Sequence, residues 1–101
     1  MERATRKIGQ NKGKRRLWIE GTLLVAAGLD HGNRWDLIEA PHGFLIVRNP
    51  EGKRKVAGKP GRPIIDITGK TLDVIPNALT VSLSYRLGGG EIGVCPDEVA
   101  S

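Results

Sequence analysis

"RLWIEGTLLVAAGL", Arg16 to Leu29, and "RPIIDITGKTLDVIP", Arg62 to Pro76, carry the same features in the same order. Each begins on a basic residue and passes through a short apolar-rich run. Each then meets a glycine, Gly21 or Gly69, and continues with apolar residues at helical spacing. This pattern predicts a strand that feeds a short helix. Its occurrence twice in 101 residues raises the question of whether one domain is made by writing a unit twice.

Working outward from these stretches, "LWIE" and "IIDI" are strand centres. In "GTLLVAAG", Gly21 or Thr22 is the N-cap and Gly28 the left-handed terminator, with Leu23, Leu24 and Ala27 on the buried side. "TGKTLDVIP" gives a second short helix that Pro76 ends. "LDHGN" is a turn. "RWDLIEA" and "GFLIVR" are strands joined by "PHG": Trp35, Leu37 and Glu39 share one face, and Phe44 and Ile46 oppose Leu45 and Val47. "LTVSLSYRL" alternates cleanly and predicts a strand with Leu79, Val81, Leu83, Tyr85 and Leu87 on one face. "GGG" then turns the chain into "EIGV".

The two halves align at a nearly constant offset. It is 48 residues through the helix, where Gly13, Lys14, Ile19, Gly21 and Leu24 match Gly61, Arg62, Ile67, Gly69 and Leu72. It becomes 46 where Trp35 and Leu37 match Val81 and Leu83, and 47 where Gly43, Leu45 and Val47 match Gly90, Ile92 and Val94. The changes fall in turns, where insertions are tolerated. One unit of about 35 residues is too small to bury its own strands, whereas two can cover each other. The expected fold is mostly β with two short helices, a single barrel over residues 16–95 with an internal pseudo-twofold repeat. Repeat 1 (16–48), a basic linker (49–62) and repeat 2 (62–95) compose it, between a flexible basic arm (1–15) and a tail (96–101).

With 39% hydrophobic residues and 4% aromatics, the core must be built from Leu, Ile, Val and Ala. No apolar run approaches the length of a membrane span. No apolar segment follows the charged N-terminus as in a secretory leader. A lone Cys95 excludes an internal disulfide framework, so the expected compartment is a reducing cytoplasm.

Net charge is +5, unevenly placed: +6 over residues 1–16, −2 over 17–50, +4 over 51–62 and −3 over 63–101. Two basic segments precede two mildly acidic, apolar ones. Such segments are either solvated arms or surfaces for phosphates.

The unit "RLWIEGTLLVAAGLDHGNRWDLIEAPHGFLIVR" resembles the swapped-hairpin barrels of the AbrB/SpoVT and MazE-antitoxin type. The matching positions are Ile19, Leu24, Ala27, Gly28, Leu29, Gly32, Trp35, Leu37, Gly43, Leu45 and Val47, and residues 62–95 repeat the pattern more weakly. Two departures stand out. Glu20-Gly21 and Thr68-Gly69 replace the family's proline at the helix start, and this chain carries two units where members commonly carry one. The resemblance implies an AbrB-like swapped-hairpin β-barrel, formed as a monomeric pseudo-dimer or as a homodimer. The form "RLWIEGTLL..AGL..G" is also similar to SymE-like proteins, which implies an RNA-directed role.

Catalytic signals are absent. His31, His42 and Cys95 are far apart and fall in turns or the tail, which predicts no metal site. "GKPGRP" and "GGGEIG" lack the strand–loop–helix setting of a phosphate cradle. Asp66, Asp73 and Glu91 are scattered. The expectation is a non-enzyme without cofactor that binds through Arg6, Lys7, Lys12, Lys14, Arg15, Arg16, Lys53, Arg54, Lys55, Lys59 and Arg62. Arg15, Arg16 and Arg62 adjoin strands and are the candidates for base contacts, with Arg16 and Arg62 meeting a duplex at related places, one from each half. Trp18 and Trp35 could stack on bases, although wall packing suits them better in a chain with so few aromatics. Double-stranded DNA is the leading partner, as for a transcriptional regulator or DNA-recognition module. The alternatives are an acidic protein partner, as for an antitoxin-like or phage-type inhibitor, and RNA.

Overall fold

The computed structural model describes residues 1–75 and 79–97. It is mostly β with two short helical segments. In chain order these are β1 (Glu2–Lys7), β2 (Gly9–Asn11), β3 (Lys14–Glu20), α1 (Thr22–Ala27), β4 (Arg34–Ala40), β5 (Gly43–Arg48), β6 (Arg54–Lys55), β7 (Ala57–Lys59), β8 (Arg62–Thr68), a 3-10 helix (Gly69–Val74), β9 (Thr80–Tyr85) and β10 (Glu91–Pro96). Two antiparallel sheets result, a larger one in the order β1-β9-β10-β5-β4-β6 and a smaller one in the order β2-β3-β8-β7. The sheets are not closed into one barrel.

Neither half forms a sheet of its own. β3 pairs with β8, and β5 pairs with β10, so each sheet has a seam where the halves meet. The reason lies in the alternation. Leu17 and Ile19 on one strand and Ile65 and Ile67 on the other are at most 1% exposed, and so form one apolar face only when side by side. Phe44, Ile46, Ile92 and Val94 do the same in the larger sheet, and Leu24 and Leu72 from the two helices fill the same core.

The registers of the halves coincide. Asn11 opposes Lys14 as Lys59 opposes Arg62, and Lys7 opposes Thr80 as Lys55 opposes Arg34. Ile8 donates its amide to the Leu79 carbonyl at 2.8 Å, and Val56 donates to Asn33 at 2.8 Å. These pairs fit the offsets of 48 before the helix and 46 after it. The last strand corrects the expected 47: Leu45 opposes Gly93, 48 residues on, and buried Phe44 and Ile46 match buried Ile92 and Val94. An offset of 47 would match buried Phe44 with exposed Glu91 and buried Ile46 with half-buried Gly93.

Two segments expected to be unstructured are strands. The supposed arm, residues 1–15, supplies β1, which pairs with β9 over six positions, and β2, which forms a hairpin with β3. The supposed linker, 49–62, supplies β6 and β7, anchored by buried Val56. Half-buried Ile8 stands where Val56 does. The repeat therefore reaches further upstream than expected, with Arg6-Lys7-Ile8 recurring as Arg54-Lys55-Val56.

Both helices are single short stretches. Gly28 closes α1 with φ 86°, as expected of a left-handed cap. Gly88 and Gly90 of the other half donate amides to the Ala26 and Ala27 carbonyls at 2.7 and 2.6 Å, so the β9–β10 loop satisfies groups the helix end leaves open. The second segment is tighter, a 3-10 helix. Leu79 and Leu87, expected on the buried face of β9, lie outside the strand and are exposed. The roles expected of Pro76 and of 98–101 fall outside the described residues.

Candidate nucleic-acid interface

The basic residues follow the sheet edges. All four edge strands, or the turns beside them, carry cations: Arg3, Arg6 and Lys7 on β1; Lys12 and Lys14 around β2; Arg54 and Lys55 on β6; Lys59 and Arg62 around β7. Edge cations guard open strand edges against pairing with another chain, a sufficient role in itself. What that role does not require is that they recur in register. By the offset of 48, Arg6 corresponds to Arg54, Lys7 to Lys55 and Lys14 to Arg62.

Two hairpin tips are the most prominent of these features. "NKGK" (11–14) and "KPGR" (59–62) turn through Gly13 and Gly61, at φ 79° and 76°. β3 and β8 are antiparallel, so the tips at their starting ends sit at opposite ends of the small sheet. Strands of seven residues place them roughly 25 Å apart. The second tip is fixed to the first half, since Gly61 donates its amide to Asp30 at 3.3 Å.

Between the tips lies the outer face of the β3–β8 seam. Trp18 opposes Asp66 there, and Trp18 is 36% exposed. Arg16 donates from Nε and one terminal nitrogen to the two Asp66 oxygens at 2.8 and 2.9 Å, and its guanidinium lies over the Trp18 ring at 4.3 Å. The Asp66 hydrogen bond raises the Arg16 pKa. Among the described residues this is the sole ion pair.

The expected site residues therefore separate into groups. Arg15 donates to the carbonyls of Leu72 and Ile75 at 3.3 and 2.7 Å, binding the 3-10 helix to β3 rather than facing a ligand. Arg16 is engaged by Asp66 and Trp18, and by register it corresponds to Ile64, not to Arg62. The expected symmetric pair Arg16/Arg62 is thus corrected to Lys14/Arg62. Arg6, Lys7, Arg54 and Lys55 lie along the larger sheet's edges, and Arg54 stacks over buried Trp35 at 5.2 Å. Lys12, Lys14, Lys59 and Arg62 form the tips, and exposed Lys53 ends an ordered loop. Asn49 Nδ2 and the Lys53 amide donate to Asp36 at 2.8 and 3.1 Å, and these bonds hold its carboxyl below the usual range.

Residues outside the expected set join this surface. Arg34 and Arg48 line a cleft with Lys55. Both sit in the segment whose net charge is negative, and only the strand pairing brings them to a third cation. His42 and Cys95, expected in a turn and a tail, line a common cleft with Arg3, Ser82 and Asp97, because Cys95 belongs to β10. Among the described residues no three metal-ligating side chains cluster. Compared with known proteins, the chain matches no family model, no curated protein and no solved structure.

Proposed function

We propose that this chain is a duplex-DNA-binding module, a transcriptional regulator or the recognition part of a larger system. Its two halves are two copies of one AbrB-like swapped-hairpin unit folded together in a single chain. Pairing across the halves at β3–β8 and β5–β10 supports that architecture. The observation that carries the function is the recurrence, in register, of three pairs of edge or tip cations without an acidic partner among the described residues: Arg6/Arg54, Lys7/Lys55 and Lys14/Arg62.

A duplex suits this arrangement. Its two backbones run on either side of a groove about 12 Å wide, so they present phosphates at two separated places. Cation sets roughly 25 Å apart can straddle the groove. Each neutralised phosphate releases counterion, which makes binding strongly salt-dependent. The seam between the tips, with half-exposed Trp18 and the Arg16–Asp66 pair, then faces the groove.

The test is filter binding to double-stranded DNA, single-stranded DNA and RNA at two salt concentrations. Preference for the duplex with a steep salt slope supports the reading. Preference for RNA, or no nucleic-acid binding at all, replaces it with the RNA-directed or acidic-protein reading respectively.

A further inference from the structure

We propose that the cleft between the start of β4, the end of β5 and β6 is a binding pocket for a phosphomonoester. Lys55 is shared with the edge cations proposed to meet duplex DNA, whereas Arg34 and Arg48 are not, so the pocket does not depend on that reading. The cleft has a volume of about 460 Å³ and is lined by Gly32, Asn33, Arg34, Arg48, Pro50 and Lys55. Three of those six residues are basic, two arginines and a lysine. Arg34 and Lys55 oppose each other directly across the β4–β6 pair, an arrangement that repels when empty.

The cations are held in place. Arg34 donates from Nη1 to the Gly52 carbonyl at 3.0 Å, and Arg48 donates from Nη1 to the Gly28 carbonyl at 2.9 Å. Each guanidinium has five donors, so both keep N–H groups for a ligand. Two of the nearby acids are engaged elsewhere, while Glu51, next to the lining residue Pro50, is exposed. Asp36 accepts from Asn49 and Lys53, Asp30 accepts from His31 and Gly61, and none of the three cations has an ion-pair partner among the described residues.

The other half of the chain acts as an internal control. The positions matching Arg34, Arg48 and Lys55 are Thr80, Pro96 and Lys7. The same strand pairing thus forms there with one cation in place of three, so the fold does not require the cluster. Edge protection explains Lys55 but not Arg48, since β5 is an interior strand. A phosphomonoester matches what remains: it carries about −1.5 to −2 charges and three strong acceptor oxygens, more than the single charge of an internal phosphodiester. The volume lies within the range of small-molecule sites, which leaves space beyond the phosphate for a sugar or base. Two sources share this chemistry, the phosphorylated end of a nucleic-acid strand and a free mononucleotide.

Nitrogen-15 correlation spectra of the full chain, titrated with inorganic phosphate, AMP and adenosine, test the proposal. The expected result is saturable shifts at Gly32, Asn33 and Lys55 with phosphate and AMP, and none with adenosine. Lys55→Gln and Arg34→Gln each weaken AMP binding about tenfold, while Lys70→Gln, an equal charge change elsewhere, alters it less than about twofold. Lys55 lies on a two-residue edge strand, so its variant keeps the fold testable if Arg34→Gln does not. Displacement of AMP by a 5′-phosphorylated duplex but not by its 5′-hydroxyl form assigns the pocket to strand ends; displacement by neither assigns it to mononucleotides. Absence of saturation, or equal losses in Lys55→Gln and Lys70→Gln, overturns the pocket.

Discussion

Trp18 and Asp66 face each other across the β3–β8 seam and occupy the same position of the two halves, 48 residues apart. Leu45 and Gly93 have the same relationship in the larger sheet. At the first of these points Arg16 is bound by Asp66, which removes a cation from the proposed interface. Asp66→Asn should therefore strengthen duplex binding and steepen the salt slope by up to about one unit, because Arg16 becomes available to a phosphate. The pair is exposed, so stability should change little. Weaker binding in this variant would show that Asp66 positions Arg16 for the ligand.

Lys14 and Arg62 are the symmetric pair of tip cations. Changing either to Ala should lower the salt slope by about 0.9, and the double change by about twice that. The two single variants should lose similar affinity, and Arg16→Ala should lose less than either. A large loss from one tip and none from the other would refute symmetric docking while leaving DNA binding intact.

Deleting residues 1–8 should destabilise the domain, on the order of 3 kcal/mol, by removing the β1 ladder and the Ile8 contact with the core. Deletion also bares the β9 edge, so the truncated chain should self-associate. Chemical denaturation and light scattering measure both effects. An unchanged unfolding midpoint would return residues 1–8 to the status of an unstructured arm.

Residues 1–8 mark the boundary of what the sequence makes legible. The cores of β3, β4, β5, β8, β9 and β10 were legible, because Ile and Leu alternate with polar residues or run continuously where both faces are covered. The Gly28 cap was legible because a left-handed position favours glycine. β1, β2, β6 and β7 were hidden, since edge strands in segments rich in Lys and Arg have the composition of disordered arms. Only Ala4, Ile8 and Val56 are apolar residues packed on the core there, and the recurrence Arg6-Lys7-Ile8 and Arg54-Lys55-Val56 was the available signal. The cleft cations were hidden for a different reason. Arg34 and Arg48 lie far from Lys55 in charge context, and strand register alone brings them together.

Gly28 makes a sharp test of the contact between α1 and the β9–β10 loop. A Cβ there would lie 3.0 Å from the Gly90 nitrogen and 3.1 Å from the Gly88 carbonyl carbon, at φ 86°. Gly28→Ala should cost at least about 1–3 kcal/mol, more than a propensity change at a free helix end. Leu24→Ala and Leu72→Ala, matched positions that are each fully buried, should each cost about 2–5 kcal/mol. Thermal melts that separate into two transitions in these variants would show that the halves are not one cooperative unit.

The Asp36 loop provides a pH test. Bonds from Asn49 and the Lys53 amide lower the Asp36 pKa in the folded state. A carboxyl whose folded pKa lies below its unfolded value contributes stability that is fully present above the unfolded value. That contribution is lost as pH falls through the folded one. The same Asn49 side chain accepts the Glu51 amide at 3.0 Å, and Gly52 of this loop accepts from Arg34, so protonation should loosen residues 49–53 and with them one wall of the phosphate cleft. The amide resonances of Glu51 and Lys53 should titrate together, with a midpoint below that of an ordinary aspartate, and Asp36→Asn should abolish the transition. Phosphate affinity in the variant should drop at neutral pH even though no cation was removed. A midpoint at the ordinary aspartate value, or an unaltered affinity in Asp36→Asn, would separate the loop from the cleft.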